Sequence, residues 1–593
     1  MEFTYKKHDN EKLFTALEKT DLGIKHMQNY IPLYTKFFEL NENNWNAINL
    51  NNEVYLNGVS ANNDNNDDND NNSENIVLGI LKAVSDKQTK LTQKVFFKYS
   101  PLLDPLKYIT GKYDITDPTL LNLPSFTNPH NSHEKTLDLN NTAYVDSFFS
   151  YLTSKLLNTH NFLNGLNFYG SFLSIKEQYP VNIYDDIEYI DEFEFFHKNT
   201  NVLFTVDESY QNIMRNDTRN YKQKINVSDN VETLEFSDIS ELGMNLDTAM
   251  ECMQIDIPDA PTVIYEPTLE AKEAFKNKKH KDSLSSNSSC SSRSSNSSND
   301  DGTNDEDANM SGEDDTNMSD DDDYSTIEGE GEDEEEEEEV VLVKINEFPV
   351  QAIALECCDE TLNALIENDE EPLRDEEWES IVLQILMSLI TYQNTFHLTH
   401  NDLHSNNIMY TRTEKTFLYY KVDNAYYKVP TFGKIFKIID FGRAIYKFKG
   451  QLMCSDSFHS KGDAATQYNF PPYYNPQKPR VEPNFSFDLC RLSCSIYDEI
   501  VEDISEEHLV SSPILKIILA WCKDDKGRNI MYKKNGEERY PDFKLYKMIS
   551  RKVHNHVPIN VLRNEYFDKY KVAKKKVGKD KLVINIDEIP CYI

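Results

Sequence analysis

The sequence has no apolar run of the roughly eighteen residues that a membrane-spanning helix needs. The opening stretch, Met1-Glu2-Phe3-Thr4-Tyr5-Lys6-Lys7-His8, lacks the apolar core of a secretion signal. These two absences predict a soluble, intracellular protein with no membrane partner. Cysteine is sparse, nine residues with no C-x-x-C pair, which leaves no framework for zinc and fits a reducing compartment. Cys357-Cys358 and the pair Cys490 and Cys494 are expected in the core. Positive charge is short as well, with 61 Lys and Arg against 101 Asp and Glu and a formal net charge of −40. No direct nucleic-acid contact is expected from that balance, whereas a basic, histone-like protein partner is. No G-x-G-x-x-G occurs, so among candidate phosphate-approaching glycines there are only Gly58 and Gly79.

The excess acid is concentrated. Residues 283–298 are mostly serine, and Ser319-Asp320-Asp321-Asp322-Asp323 and 334–339 are acidic runs. Residues 204–339 therefore read as a disordered acidic and serine-rich insertion, too poor in apolar side chains to form a core. The Asn- and Asp-rich tract at 62–75 reads as a second disordered loop. Residues 1–45 form an N-terminal extension. In it Leu13…Leu17 and Ile31…Tyr34…Phe38 keep helical spacing and predict a short helical lead-in. Strands are predicted at 53–59, 76–81 and 94–99, a helix at 143–157, a further strand at 168–173, and, beyond the insertion, a strand at 352–358. The insertion thus lies between two strands, and a long loop there is tolerable because closure entropy grows only logarithmically with length. A long helix is expected at 376–396, a hairpin turning at Asp423-Asn424 within 417–430, a buried strand at 435–439 and a buried helix from 485. Asp488 near the start of that last helix would meet the positive end of its dipole. Lys574-Lys575-Lys576 reads as surface. The fold class expected is α+β: a β-rich part from 46–203 and 340–358, and a helical part from 359–593.

Two stretches carry the chemistry. His400-Asn401-Asp402-Leu403-His404-Ser405-Asn406-Asn407 has the form H-x-D-L-x-x-x-N and follows the long helix. Asp440-Phe441-Gly442 follows the buried strand. The short step from Asp402 to Asn407 puts both side chains at the mouth of one loop. Lys98 stands near the end of the third strand among aromatic and branched residues.

These motifs resemble the protein-kinase superfamily over about residues 50–590, the insertion excepted. His404 two residues after Asp402, the added hairpin before Asp440-Phe441-Gly442 and the lack of A-P-E after it resemble the atypical, haspin-like branch. Lys98-Tyr99-Ser100-Pro101-Leu102-Leu103-Asp104-Pro105 and the Asn-rich tracts resemble serine/threonine kinases encoded by giant DNA viruses. The resemblance implies a bilobal kinase fold, with 46–203 and 340–358 in the small lobe and 359–593 in the large one. It implies ATP and Mg2+ as cofactors and Ser/Thr hydroxyls of proteins as acceptors. Asp402 would be the proton acceptor, and Asn407 and Asp440 the metal ligands. Lys98, Gly79, Glu356 and Cys358 would surround ATP, the last two in a hinge between the lobes. Asp146, one methylene shorter than the usual Glu, would pair with Lys98, and His400 and Asp488 would support the loop. A viral kinase would reside in host cytoplasm, host nucleus or virion. Asn401 stands where many kinases carry Arg, so the segment after Gly442 is expected to be held by packing and not by a phosphate, unless Arg443 or Arg480 supplies the cation. Two other functions suit the same motifs. Small-molecule phosphotransferases for choline or aminoglycosides also carry H-[NG]-D-x-x-x-x-N without A-P-E. A catalytically dead kinase fold could serve as an acidic docking protein.

Overall fold

The computed structural model describes residues 5–7, 10–50, 52–60, 75–83, 90–207, 210, 340–368, 370–578 and 581–593. The expected Asn-rich loop, save its last residue, and almost all of the expected acidic insertion lie outside the described residues. Residues up to Val206 and from Ser285 belong to one compact unit, and a second, Asp207–Leu284, falls almost wholly outside the description.

The chain is a mixed α+β protein, β-rich towards its N-terminus and helical towards its C-terminus. Alternating branched and aromatic residues fold the first region into a seven-stranded sheet. Its order is Ile24–Gln28, Phe168–Asn182, Leu342–Glu356, Lys90–Pro101, Ile76–Ala83 and Val54–Val59, with Phe204–Val206 added to Leu342–Glu356. All the pairings are antiparallel. On the central strand Lys90–Pro101, Val95, Phe97 and Tyr99 are buried on one face. The two-residue period of a strand therefore sends Lys98 to the other face. There the helix Thr142–His160 carries the residues that meet it.

Two boundaries differ from expectation. Residues 24–28, expected within a helical lead-in, form an edge strand paired to Phe168–Asn182; among the described residues of the extension only Glu11–Leu17 is α-helical, with a 3-10 turn at Pro32–Lys36. The open edge of the sheet offers unpaired N–H and C=O groups, and pairing with them outweighs local spacing. The sheet also extends past residue 203. Phe204 is buried and stacks on Phe196, and Val206 pairs with Val343.

The C-terminal region is built on the helix Asp375–Phe396, which is buried along nearly its whole length. Helices Phe487–Cys494, Pro513–Trp521 and Lys544–Lys552 accompany it. Strands Ile408–Arg412 and Lys434–Ile438 pair beneath the loop between them. The hairpin Phe417–Val422 with Ala425–Pro430 turns at Asp423 and Asn424, whose φ values of 54° and 61° are the left-handed pair a tight hairpin turn requires. Phe149 links the two regions: its ring lies 5.3 Å from Tyr392, 5.4 Å from Phe396 and 4.5 Å from Phe441. Cys490, Cys494 and Cys522 are buried free thiols, while Cys357 and Cys358 are half-buried. Among the described residues no helix is long and apolar enough to cross a membrane.

Candidate functional site

The loop after the long helix is fixed by one buried carboxylate. Asp488, in the first turn of Phe487–Cys494, accepts the His400 N–H at 3.0 and 3.1 Å and the Asn401 N–H at 2.9 Å. Burial pushes its carboxyl pKa up, against those donors and the nearby His400. The His400 ring reaches across to the second motif, with Nε2 2.9 Å from Ile439 O and its centroid 5.3 Å from Phe441. Asn401 holds the following segment: its Nδ2 donates to Arg443 O at 2.8 Å, and its Oδ1 accepts the Tyr468 hydroxyl at 2.7 Å.

On the sheet side, Lys98 Nζ lies 2.7 Å from Asp146 Oδ2 and 2.8 Å from Asp440 Oδ1. Burial works to lower the lysine's pKa, but the two carboxylates outweigh it and hold the ammonium charged. Asp146 is itself aimed: Oδ1 accepts the Phe441 N–H at 2.9 Å and Oδ2 the Ser100 hydroxyl at 3.3 Å. Burial raises its pKa, and Lys98 opposes that rise. Asp440 has the left-handed φ of 59° and remains below the ordinary carboxylate range: burial would raise it, and Lys98 more than offsets this.

Asp402 and Asn407 belong to the same loop as His400, whose Nδ1 accepts the Asp402 N–H at 3.3 Å. Asn407 Nδ2 donates to Asp402 O at 2.9 Å and lies 3.0 Å from His404 Nε2, which turns its Oδ1 away from both. The Ile439 N–H bonds to Asn407 O at 3.0 Å, so Asn407 and Asp440 leave neighbouring ends of paired strands. The Asn407 amide oxygen and the ionised Asp440 carboxylate are hard oxygen donors of the kind that would suit Mg2+. Among the described residues no cluster of three or more His, Cys, Asp or Glu side chains offers a closed metal cage. His404 is neutral at ordinary pH, its pKa pushed down to about 4 by burial.

Searches against protein-family models found none that matches the chain, and no curated protein matches it either.

The site geometry brings Lys98, Asp146, Asp440, His400, Asp402, Asn407 and Asp488 into one connected network. The other expected nucleotide contacts stand differently. Glu356 spends its side chain on Lys437 and on Asn167, whose Nδ2 donates at 2.7 Å, and its backbone N–H on the Asn167 carbonyl at 3.0 Å. Burial pushes the Cys358 thiol well up, so it is no thiolate. At Gly79 a Cβ would come within 2.5 Å of Val95 and 2.9 Å of Leu56. The close packing of three strands explains the glycine; a phosphate contact is not needed to.

The structure also adds residues that motif reading did not assign. Arg443 Nη1 lies 3.7 Å from Asp402 Oδ2 and its Nη2 2.7 Å from Asp463, so this arginine is committed inside the site. Arg491 and Tyr546 flank Asp402 from two helices. Burial would raise the Asp402 carboxyl, but the Arg443 and Arg491 charges with the Tyr546 hydroxyl bring it well below the usual range. Arg443 was findable as the residue after Gly442. Tyr546 lies 144 residues from Asp402 with no spacing to announce it. The site as a whole presents the Lys98 ammonium beside the Asp146 and Asp440 carboxylates, and an Asp402 carboxylate ringed by Arg443, Arg491 and Tyr546.

Proposed function

We propose that the chain is an ATP-dependent serine/threonine protein kinase of the haspin-like type, with a bilobal kinase-like fold. On this reading the seven-stranded sheet and the Asp146 helix form the small lobe, the helical region forms the large lobe, and residues 356–358 connect them. The observation that carries the reading is Lys98 held between Asp146 and Asp440, with Asp440 joined through the Ile439 carbonyl and His400 to the loop of Asp402 and Asn407.

Each group then has a task. The Lys98 ammonium pairs with the α- and β-phosphates of ATP, and Asp146 fixes where it points. Asn407 and Asp440 hold magnesium, which when bound neutralises charge on the phosphates. Asp402 accepts the proton of the acceptor hydroxyl as that oxygen attacks the γ-phosphorus. His400 and Asp488 keep the loop in the geometry that places Asp402 in line, and much of the rate gain of such enzymes comes from this kind of placement. The acceptor expected is a Ser or Thr of a basic, histone-like protein, because the chain's net charge is −40.

The test is incubation of the full chain with γ-labelled ATP, Mg2+, a panel of basic proteins and, in parallel, choline and aminoglycosides. Label on Ser or Thr of a protein, absent with Asp402→Asn, is expected. Label on a small alcohol alone would contradict the protein-kinase reading.

A further inference from the structure

The carboxylate of Asp402 is held by a tyrosine from a distant helix. Tyr546, on Lys544–Lys552, donates its hydroxyl hydrogen to Asp402 Oδ1 at 2.9 Å. The same hydroxyl accepts from Arg491 Nε at 2.8 Å, and Arg491 rises from the helix whose Asp488 braces the loop backbone. The Tyr546 ring is clasped between two guanidinium groups, Arg443 at 5.6 Å and Arg491 at 5.1 Å from its centroid. Tyr546 and Arg491 are both buried.

Packing does not account for this arrangement. A buried guanidinium is costly to keep, and Arg491 Nη1 has no partner among the described residues. A leucine or methionine would fill that space more cheaply. What the arginine does provide is a fixed donor that orients the Tyr546 hydroxyl, and through it one oxygen of Asp402. We infer that Tyr546, backed by Arg491, is a positioning residue for the Asp402 carboxylate. It bonds Oδ1 while Arg443 Nη1 stands 3.7 Å from Oδ2, so the carboxylate is held in one orientation and Oδ2, which accepts no hydrogen bond from Tyr546, is the oxygen to take the acceptor's proton. This rests on the phosphotransfer reading above, and it assigns to a residue outside both motifs the orientation that the reaction needs.

The experiment compares wild type, Tyr546→Phe and Arg491→Lys in kcat, in KM for ATP and in ATP binding. Tyr546→Phe keeps the ring between the arginines and removes only the hydroxyl. It is expected to lower kcat by roughly ten- to a hundredfold, as misplacement of a reacting group does, with KM for ATP and ATP binding unchanged. Arg491→Lys, which keeps the charge but not the Nε–H, should move kcat in the same direction by less. An unchanged or increased kcat in Tyr546→Phe, or a loss that appears in KM and ATP binding instead of kcat, would overturn the inference. Absence of turnover in the wild type would instead remove the phosphotransfer reading on which it stands.

Discussion

At the scale of the residue, the ion pairs of Lys98 set both stability and chemistry. The ammonium separates two carboxylates that would otherwise repel. Lys98→Met should weaken ATP binding, abolish transfer and lower the unfolding free energy by about 2 kcal/mol, the scale of a lost charged contact. Denaturant unfolding alongside nucleotide titration checks this, and unchanged stability would mean that the pair is not formed in solution. Asn401 makes the second residue-level case. Its neutral bond to the Tyr468 hydroxyl secures the segment after Gly442 where a phosphate held by arginine would otherwise be needed. Arg443, the other cation near at hand, is taken by Asp463 and Asp402. Phosphatase treatment should therefore leave turnover unchanged, whereas Tyr468→Phe should cost about 1 kcal/mol of stability. A tenfold fall on dephosphorylation, restored by rephosphorylation within 443–484, would contradict the first of these.

At the scale of the element, the segment after the second motif is stitched to the start of the Asp146 helix. Asp456 accepts from the Thr142 N–H at 3.0 Å and its hydroxyl at 2.9 Å, receives Lys135, and donates its own N–H to Asn140 O at 2.8 Å. A carboxylate there satisfies an orphan amide and meets the positive end of the helix dipole. Asp456→Ala should cost about 1 kcal/mol, the usual scale for a lost helix cap, and should raise amide exchange around 142–146 first. Equal protection in the variant would show that the helix is fixed by its aromatic packing alone. The long helix Asp375–Phe396 has a comparable tie at Glu379, whose buried carboxylate is held by Lys569, Tyr566 and Tyr570. Burial would raise its pKa, but those partners bring it below the ordinary value. A depressed folded pKa means stability that is present above the unfolded pKa, about 4.3 for Glu, and lost as pH falls through the folded value. Glu379→Gln should accordingly be less stable than wild type at pH 7, and the gap should close below about pH 4. Elements of this kind were readable to different degrees. The Lys98 strand, the Asp146 helix, the Asp423-Asn424 hairpin and Asp488 all announce themselves through period, turn chemistry or position near a helix start. The strand Ile24–Gln28 does not, because its partner edge is supplied by residues far along the chain. The close packing of Val95 and Leu56 around Gly79 is not readable either, because a glycine that lets strands pack and one that admits a phosphate look alike in sequence. Tyr546, Arg491 and Asp456 are invisible for the same reason as the edge strand: each acts on a residue that only folding brings near.

At the scale of the whole molecule, the acidic block enters and leaves at one place. Val206 pairs with Val343 in an antiparallel ladder, so residues 208–339 span a gap that a short turn can close. Replacing them with a tight Asn-Gly turn should leave cooperative unfolding and turnover on a small acceptor peptide intact, while affinity for basic proteins falls and becomes less sensitive to salt. Loss of cooperative unfolding would show that the block is part of the fold. The central claim, that this cleft transfers phosphate with Asp402 as proton acceptor, is tested most directly by measuring Mg-ATP binding and phosphotransfer side by side in Asp402→Asn and Asp440→Asn. The account predicts that Asp402→Asn binds Mg-ATP like wild type and transfers no phosphate, while Asp440→Asn loses both. Near-wild-type turnover in Asp402→Asn would contradict it.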